Sequence, residues 1–252
     1  MSARDKSGTE DLAFRADLAR TLGLLRAFRR EQTDPEHFYT LLARDTVAQL
    51  GRYAPLAGAR ALDVGCGPGY FTRALRAAGA DVAGVDADPA ELTLHGAEPY
   101  GAVLGSALRL PFADASFDVC LSSNVLEHVP DPWRMAGEMI RVTRPGGTVY
   151  LAFTNWLSPW GGHETSPWHY LGGERAARRF ERRTGRVPKN RYGQSLHAVS
   201  VSAALTWARR AADAELVAAL PRYLPRWARP VVAVPGLREV VTWNLALVLR
   251  RR

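Results

Sequence analysis

The sequence predicts an α/β protein with a doubly wound sheet, and three observations support this. First, a short apolar run breaks into three alternate glycines, Gly65, Gly67 and Gly69, and then resumes with helix-forming residues. This order indicates a buried strand, a tight turn and a helix. Second, an acidic residue, Asp86, ends the next apolar run. Third, apolar runs and helical segments go on alternating as far as residue 153, which is typical of a sheet with helices on both faces.

The length and composition fit one α/β domain with additions. The chain has 252 residues, of which 47% are hydrophobic and 23% charged, as in ordinary globular proteins. No apolar run reaches the ~18 residues of a membrane span, and the first residues lack the apolar core of a signal peptide. We therefore expect a cytoplasmic protein. The two cysteines, Cys66 and Cys120, show no metal-ligand spacing and are interpreted as small buried residues.

The positive charge is concentrated in the second half of the chain. The net charge is +8, yet the residues from Leu171 onward carry 17 Lys and Arg against 5 Asp and Glu. A surface of this kind suits an anionic substrate, a lipid headgroup layer or nucleic acid. Residues 221–235 also interleave Arg with Trp, Tyr and Pro, a pattern compatible with a membrane surface or with an acceptor groove. We expect peripheral membrane contact through this basic half.

Three kinds of nucleotide-binding loop could account for the glycines. A P-loop requires Gly-Lys-Ser/Thr after them, and Tyr70, Phe71 and Thr72 stand there instead, which excludes it. The dinucleotide fingerprint G-x-G-x-x-G is one residue longer than the spacing found here. The third kind binds S-adenosylmethionine. Residues 61–72 closely resemble motif I of the class I S-adenosylmethionine-dependent methyltransferases, hydrophobic-D-x-G-C-G-x-G, with Asp63 and the three glycines matching.

Three further landmarks carry the same resemblance. Residues 110–118 match the L-P-F-x-D-x-S-F-D sequence that precedes strand four in the family. The pair Glu127 and His128 is usual just after that strand, and the R-P-G-G turn at 144–147 precedes strand five. The resemblance therefore covers about residues 62–153, with all four landmarks in the expected order.

The resemblance implies a Rossmann-like, doubly wound sheet of seven strands that ends in an antiparallel hairpin. N-terminal helices precede the sheet, and a lid is inserted after strand five. We assign residues 1–55 to an N-terminal helical cap and residues 56–252 to the methyltransferase domain. The lid, which would also form the acceptor site, spans about residues 154–200.

The individual elements follow from local patterns. Residues 1–10 are polar and predicted to be disordered, and residues 11–30 predict an amphipathic helix. Asp34 as N-cap and Pro35 at the first position start the next helix. The later elements are strands at 61–64, 81–85, 103–107, one ending at 123, 148–153, 215–220 and 242–249, and helices at 70–78, 133–142, 174–183 and 200–212.

The resemblance also implies a donor site for S-adenosylmethionine, with S-adenosylhomocysteine as product. Asp86 is placed to accept both ribose hydroxyls. Ser106 stands where the family often has Asp, so adenine recognition falls to Ser106 or to the Ala107 backbone. Tyr39 would lie near the adenosyl group and Arg44 near the methionine carboxylate; the alternative is a helix that packs on the sheet with an exposed arginine. The complete set expected to bind the donor is Tyr39, Arg44, Asp63, Gly65, Gly67, Gly69, Asp86, Ala87, Ser106, Ala107, Ser123 and His128.

The acceptor side depends on the loop at 154–173, which overhangs the methyl donor. His163, His169 and Glu164 are its candidate catalytic groups, because a hydroxyl acceptor needs a base and histidine suits neutral pH. The alternative is a loop whose aromatic side chains pack and whose histidines are solvated. His128 is expected to line the donor site. No metal site is expected, because no second ligand stands near His128 in the sequence.

These observations predict methyl transfer from S-adenosylmethionine to a hydroxyl of a small molecule, lipid or glycan by in-line displacement. One alternative is a nucleic-acid ribose methyltransferase. Nucleic acid is the less favoured partner: Ser122-Ser123-Asn124-Val125 replaces the amine-binding N-P-P-Y motif after strand four, which counts against N-methylation of bases and leaves ribose open. A second alternative is a non-catalytic partner subunit that binds the donor, and a nicotinamide oxidoreductase is the most remote.

Overall fold

The computed structural model describes residues 14–31, 33–93 and 102–252. The N-terminal stretch predicted to be disordered lies outside these residues. The first part of the helix predicted over 11–30 lies outside them as well.

The predicted seven-stranded, mixed sheet is confirmed. The strand order is β3-β2-β1-β4-β5-β7-β6, and β7 runs antiparallel to both of its neighbours. The other strand pairs are parallel. The strands are β1 Arg60–Val64, β2 Asp81–Asp86, β3 Ala102–Leu104, β4 Phe117–Ser123, β5 Thr143–Thr154, β6 Ala214–Pro221 and β7 Asn244–Arg251.

Helices cover both faces of the sheet. They are α1 Leu18–Phe28, α2 Pro35–Leu50, α3 Tyr70–Ala77, α4 Pro89–Thr93, α5 Pro132–Val142, α6 Gly173–Thr184, α7 Val201–Arg210 and α8 Leu237–Val241. The helices α5 and α7 share one buried core with the sheet, and α1, α2 and α3 share the other. Adjacent residues of β5 alternate between the two cores, as Tyr150 and Leu151 do, because side chains of a strand point to opposite faces.

The N-terminal helices are built into the core. Asp34 caps α2 by accepting a hydrogen bond from the His37 backbone N–H at 3.2 Å, and Pro35 takes the first position. Arg20 of α1 makes a bidentate ion pair with Asp45 of α2, at 2.6 Å for both contacts. Because α2 packs in the same core as the strands, the cap is a layer of the fold. The boundary at residue 55 stays a prediction.

The strand β5 starts earlier than predicted. The R-P-G-G sequence forms the first part of the strand, and the ladder to β4 shifts register there. A Cβ on Gly147 would stand 2.8 Å from the carbonyl oxygen of Asp118, so only glycine allows the strands to approach so closely.

The lid leaves the carboxyl end of β5 as predicted. It contains two 3-10 turns, His163–Thr165 and Trp168–Leu171, before α6 begins. The Trp156 N–H donates to the carbonyl of Val199 at 2.9 Å, which closes the lid at its base. Among the residues that the structure describes, none of the helices has both the length and the apolar character needed to cross a bilayer.

We expect Gly65→Ala to destabilise the fold more than Gly58→Ala. Both glycines have positive φ, +74° and +72°, which costs an L-residue about 1–2 kcal/mol. At Gly58 no atom lies within 4 Å of the added Cβ, whereas at Gly65 that Cβ would stand 2.3 Å from Val125. Overpacking adds ~1–3 kcal/mol. Urea unfolding measures the free energy of unfolding of both variants. Equal decreases would show that the added Cβ at residue 65 is not destabilised by Val125.

Candidate active site

The glycine loop joins β1 to α3 at the carboxyl edge of the sheet. All three of its glycines have positive φ, which favours glycine on steric grounds. The N–H groups of Gly65 and Cys66 donate to the carbonyl of Val85 at 2.8 and 3.1 Å. A Cβ on Gly67 would meet only a Glu91 oxygen, at 3.9 Å. The loop is therefore tied to β2 on one side and leaves its backbone open on the other.

Asp86 fixes the middle of this loop. Its Oδ2 accepts a hydrogen bond from the Gly67 N–H at 2.8 Å, and its Oδ1 accepts one from the Asp88 N–H at 2.9 Å. A carboxylate offers about four lone-pair positions, so two remain for a ligand's hydroxyls. The Gly105 N–H donates to the Asp86 carbonyl at 2.8 Å, which brings the segment that leads to Ser106 to the end of β2. The structure thus gathers three predicted donor-site segments.

Asp63 lies beneath the loop. Its side chain is buried and accepts a hydrogen bond from the Thr72 hydroxyl at 2.7 Å. Burial raises the pKa of this carboxyl to about 7, although the bonds from Thr72 oppose the rise. Asp63 therefore ties β1 to the first turn of α3, and a direct contact with the donor stays a prediction.

Tyr39 and Arg44 of α2, both predicted to bind the donor, differ from each other in their surroundings. The ring of Tyr39 stacks on Tyr70 with centroids 5.7 Å apart, and its hydroxyl donates to Glu31 at 2.8 Å. Burial, and then the charge of Glu31, raise the pKa of Tyr39, so its hydroxyl stays protonated. Arg44 is exposed, which agrees with the alternative of an exposed arginine.

Sequence reasoning missed Arg222. Its guanidinium is 1% exposed and donates to the Ser123 hydroxyl at 2.9 Å. It also contacts the hydroxyl of Thr46. Within the described part of the chain, no carboxylate forms an ion pair with it. Arg222 directly follows β6 at the carboxyl edge of the sheet. Nothing in the sequence distinguished it from the other arginines of the second half.

Glu127, His128 and His163 come together just after the end of β4, and we name them the lid cluster. One potential ligand atom from each lies within 4.8 Å of the others. The rings of the two histidines are 5.1 Å apart. The expectation that His128 has no second ligand nearby is therefore wrong, because the lid folds back over the end of β4. Val125, two residues before Glu127, contacts the glycine loop at Gly65.

The lid cluster presents unshared lone pairs. His128 Nδ1 lies 2.7 Å from the Ser195 carbonyl oxygen, which can only accept, so Nδ1 carries a proton and, in the neutral ring, Nε2 presents the lone pair. Glu127 is 1% exposed, and one of its oxygens accepts from the Thr154 N–H at 2.8 Å. The other oxygen has no partner among the described residues.

His163 completes the lid cluster from the lid. Its Nε2 is buried and has no partner in the described chain. Burial lowers the pKa of its imidazole to about 4, while the charge of Glu127 acts in the opposite direction. Its φ of +48° is uncommon for a non-glycine residue. A neutral imidazole is thus held in a strained position beside a buried carboxylate.

The other two predicted catalytic residues have partners within the lid region. His169 is buried, with its Nε2 3.1 Å from the Ser158 carbonyl oxygen. Both oxygens of Glu164 accept from the Asn190 amide at 3.1 Å. A catalytic role for either stays a prediction. A cavity of about 220 Å³ lined by Gly58, Arg250 and neighbouring residues lies at the opposite, amino edge of the parallel strands.

Known proteins similar to this chain are methyltransferases. Residues 62–151 match the family described as "Methyltransferase domain". A protein named "Uncharacterized methyltransferase" from Mycobacterium sp. (strain KMS) is 53% identical, over 97% of this chain and 99% of its own length. One of the same name from Mycolicibacterium gilvum (strain PYR-GCK) is also 53% identical, with the same coverage. The crystal structure of an S-adenosylmethionine-dependent methyltransferase from Mesorhizobium loti is 21% identical with a TM-score of 0.57, covering 83% of this chain and 98% of that one.

We expect Asp86→Asn to weaken the binding of S-adenosylhomocysteine roughly 10- to 100-fold. The change removes the charge and one acceptor oxygen, and hydrogen bonds to charged groups contribute about 1.5–3 kcal/mol. Asp81→Asn is the matched control, because Asp81 is exposed at the start of the same strand. Calorimetry measures both affinities. A loss of the same size in both variants would contradict the ribose contact.

Proposed function

This chain belongs to the family of S-adenosylmethionine-dependent methyltransferases, and we propose that it methylates a hydroxyl group of a small molecule, lipid or glycan. The observation that carries the choice of a hydroxyl is the lid cluster. It brings together a buried carboxylate and two histidines with free nitrogens, just beyond Val125, which contacts the glycine loop. A hydroxyl must lose a proton to become a good nucleophile, whereas a neutral amine already presents a lone pair.

The donor half of the site supports binding of S-adenosylmethionine, which supplies an electrophilic methyl group on a sulfonium. The open backbone at Gly67 allows a flat ligand to lie against the loop, since no Cβ intervenes. Asp86 keeps two lone-pair positions for the ribose hydroxyls. Tyr39 lies over the start of α3 and would close this side of the donor site.

The acceptor half acts by positioning and by removing the proton. Holding two reactants in line contributes about 7–11 kcal/mol to lowering a barrier. Proton removal contributes a further ~10²–10⁴-fold in rate. The lid packs on the N-terminal helices through Trp160, whose ring lies 5.3 Å from that of Phe28. This contact places the lid where it would exclude water from the reacting atoms.

The outer surface of the lid supports a lipid or a membrane-borne acceptor. Trp168, Tyr170 and Leu171 are 42%, 48% and 63% exposed. The Arg179 guanidinium stacks on Trp168 at 3.8 Å, and α6 adds further arginines beside it. Aromatic and apolar side chains among basic ones are typical of surfaces that lie on anionic lipid. We propose that the protein contacts membranes peripherally through this surface.

Transfer of a labelled methyl group tests the proposed reaction. The wild-type protein with methyl-labelled donor should label a hydroxylated small molecule, lipid or oligosaccharide as an alkali-stable ether. His163→Asn should keep its affinity for S-adenosylhomocysteine, because His163 lies outside the donor loop, and should transfer label at least about 100-fold more slowly.

His37→Asn is the matched control, since His37 is exposed on α2, and it should behave as wild type. Label found only in RNA, only on nitrogen, or in no acceptor class despite normal donor binding would contradict the proposal.

We expect the protein to sediment with anionic vesicles at low salt and not with zwitterionic ones. Leu171→Ser should reduce this binding, because it removes apolar surface from the lid. Leu104→Ser is the control, with a leucine of similar exposure, 59%, on the edge strand β3. Equal sedimentation of wild type and both variants, or none with anionic vesicles, would contradict contact through the lid.

A further inference from the structure

We propose that the lid cluster binds a divalent first-row transition metal ion, which in turn binds the acceptor's hydroxyl oxygen. The inference rests on the proposed function and specifies how the hydroxyl loses its proton. Glu127, His128 and His163 would each supply one ligand atom.

The geometry is close to that of a metal site. The candidate ligand atoms lie within 4.8 Å of one another. Ligands that each stand ~2.1 Å from one ion lie within about 4 Å of each other, so small side-chain rotations would bring all three onto an ion. Two histidines and one carboxylate form a known ligand set with open coordination positions.

The surroundings orient two of the ligands as metal sites do. His128 donates its Nδ1 proton to the Ser195 carbonyl at 2.7 Å, which fixes the ring and leaves Nε2 as its nitrogen for a metal ion. Histidine ligands are commonly fixed by a backbone carbonyl in this way. The Thr154 N–H holds one oxygen of Glu127 at 2.8 Å and leaves the other free.

Burying these polar groups without partners costs free energy, and a bound metal ion would remove that cost. Glu127 is 1% exposed, and no ion pair joins it to any residue that the structure describes. Its second oxygen and the Nε2 of His163 are both buried without partners. Buried carboxylates are normally paired or bound to metal. The positive φ of His163 adds backbone strain, which proteins keep mainly at functional sites.

The bound ion would activate the acceptor hydroxyl for methyl transfer. An ion held by three protein ligands keeps positions open for the acceptor, and it lowers the pKa of a bound hydroxyl much as it lowers that of bound water. The hydroxyl proton leaves to solvent. The oxygen lone pair forms the O–CH₃ bond, and the S–CH₃ bond breaks with its electron pair remaining on sulfur. The products are the methyl ether and neutral S-adenosylhomocysteine, and the ion keeps its oxidation state.

Direct metal titration tests the inference. Full-length protein stripped with EDTA should bind one Co²⁺ with a visible absorption band, and Zn²⁺ should displace it. Glu127→Gln and His163→Asn should each weaken Co²⁺ binding at least about 100-fold, since even loss of an outer-shell partner costs ~10–100-fold. Both should keep wild-type affinity for S-adenosylhomocysteine, which shows that they fold. His37→Asn should titrate as wild type does.

Wild-type protein that binds no Co²⁺ or Zn²⁺, or cluster variants that bind Co²⁺ as tightly as wild type, would overturn the inference. Methyl transfer to a hydroxyl that persists in EDTA would also overturn it while leaving the proposed function intact. Failure of the proposed function differs: metal would bind at the lid cluster, yet no hydroxyl would be methylated with metal present.

Discussion

The site depends on the hydrogen bond from the Thr154 backbone to the buried carboxylate of Glu127. It joins the end of β5, where the lid begins, to the turn that follows β4. In that turn Val125 contacts the glycine loop. A buried carboxylate is costly to leave unpaired, so this bond fixes both its position and the direction in which the lid departs. His163 then returns to the same carboxylate, and the lid cluster follows from the fold of one loop.

The two halves of the site are built by different means. The sheet positions the donor half: backbone hydrogen bonds tie the glycine loop to β2, and Asp86 holds the loop's centre. The residues proposed for the acceptor half come from distant parts of the chain and meet through the lid cluster. A uniform donor pocket with a variable lid is what a fold that serves many acceptors would require, since function resides in sites added to a common scaffold.

Local patterns predicted the elements around the glycine loop, and they predicted little of the lid cluster. The glycine spacing, the acidic end of β2 and the Asp34–Pro35 helix start each act over a few residues, so the sequence alone reveals them. Glu127 and His163 are 36 positions apart, and only the fold of the lid unites them. His163 and His169 look alike in the sequence, yet one ring nitrogen is unpartnered in the first and bound to Ser158 in the second. Arg222 was hidden among many arginines, because burial is not visible in a charge count.

A crystal structure with S-adenosylhomocysteine tests the central claim most directly, namely that the lid cluster faces the methyl donor. We predict that the ribose lies on Asp86 and that the sulfur faces Glu127 and His163. The space between would admit one acceptor oxygen, at the ~3–3.5 Å separation that transfer requires. A sulfur that points away from the lid cluster, or is shielded from it by protein, would contradict the account.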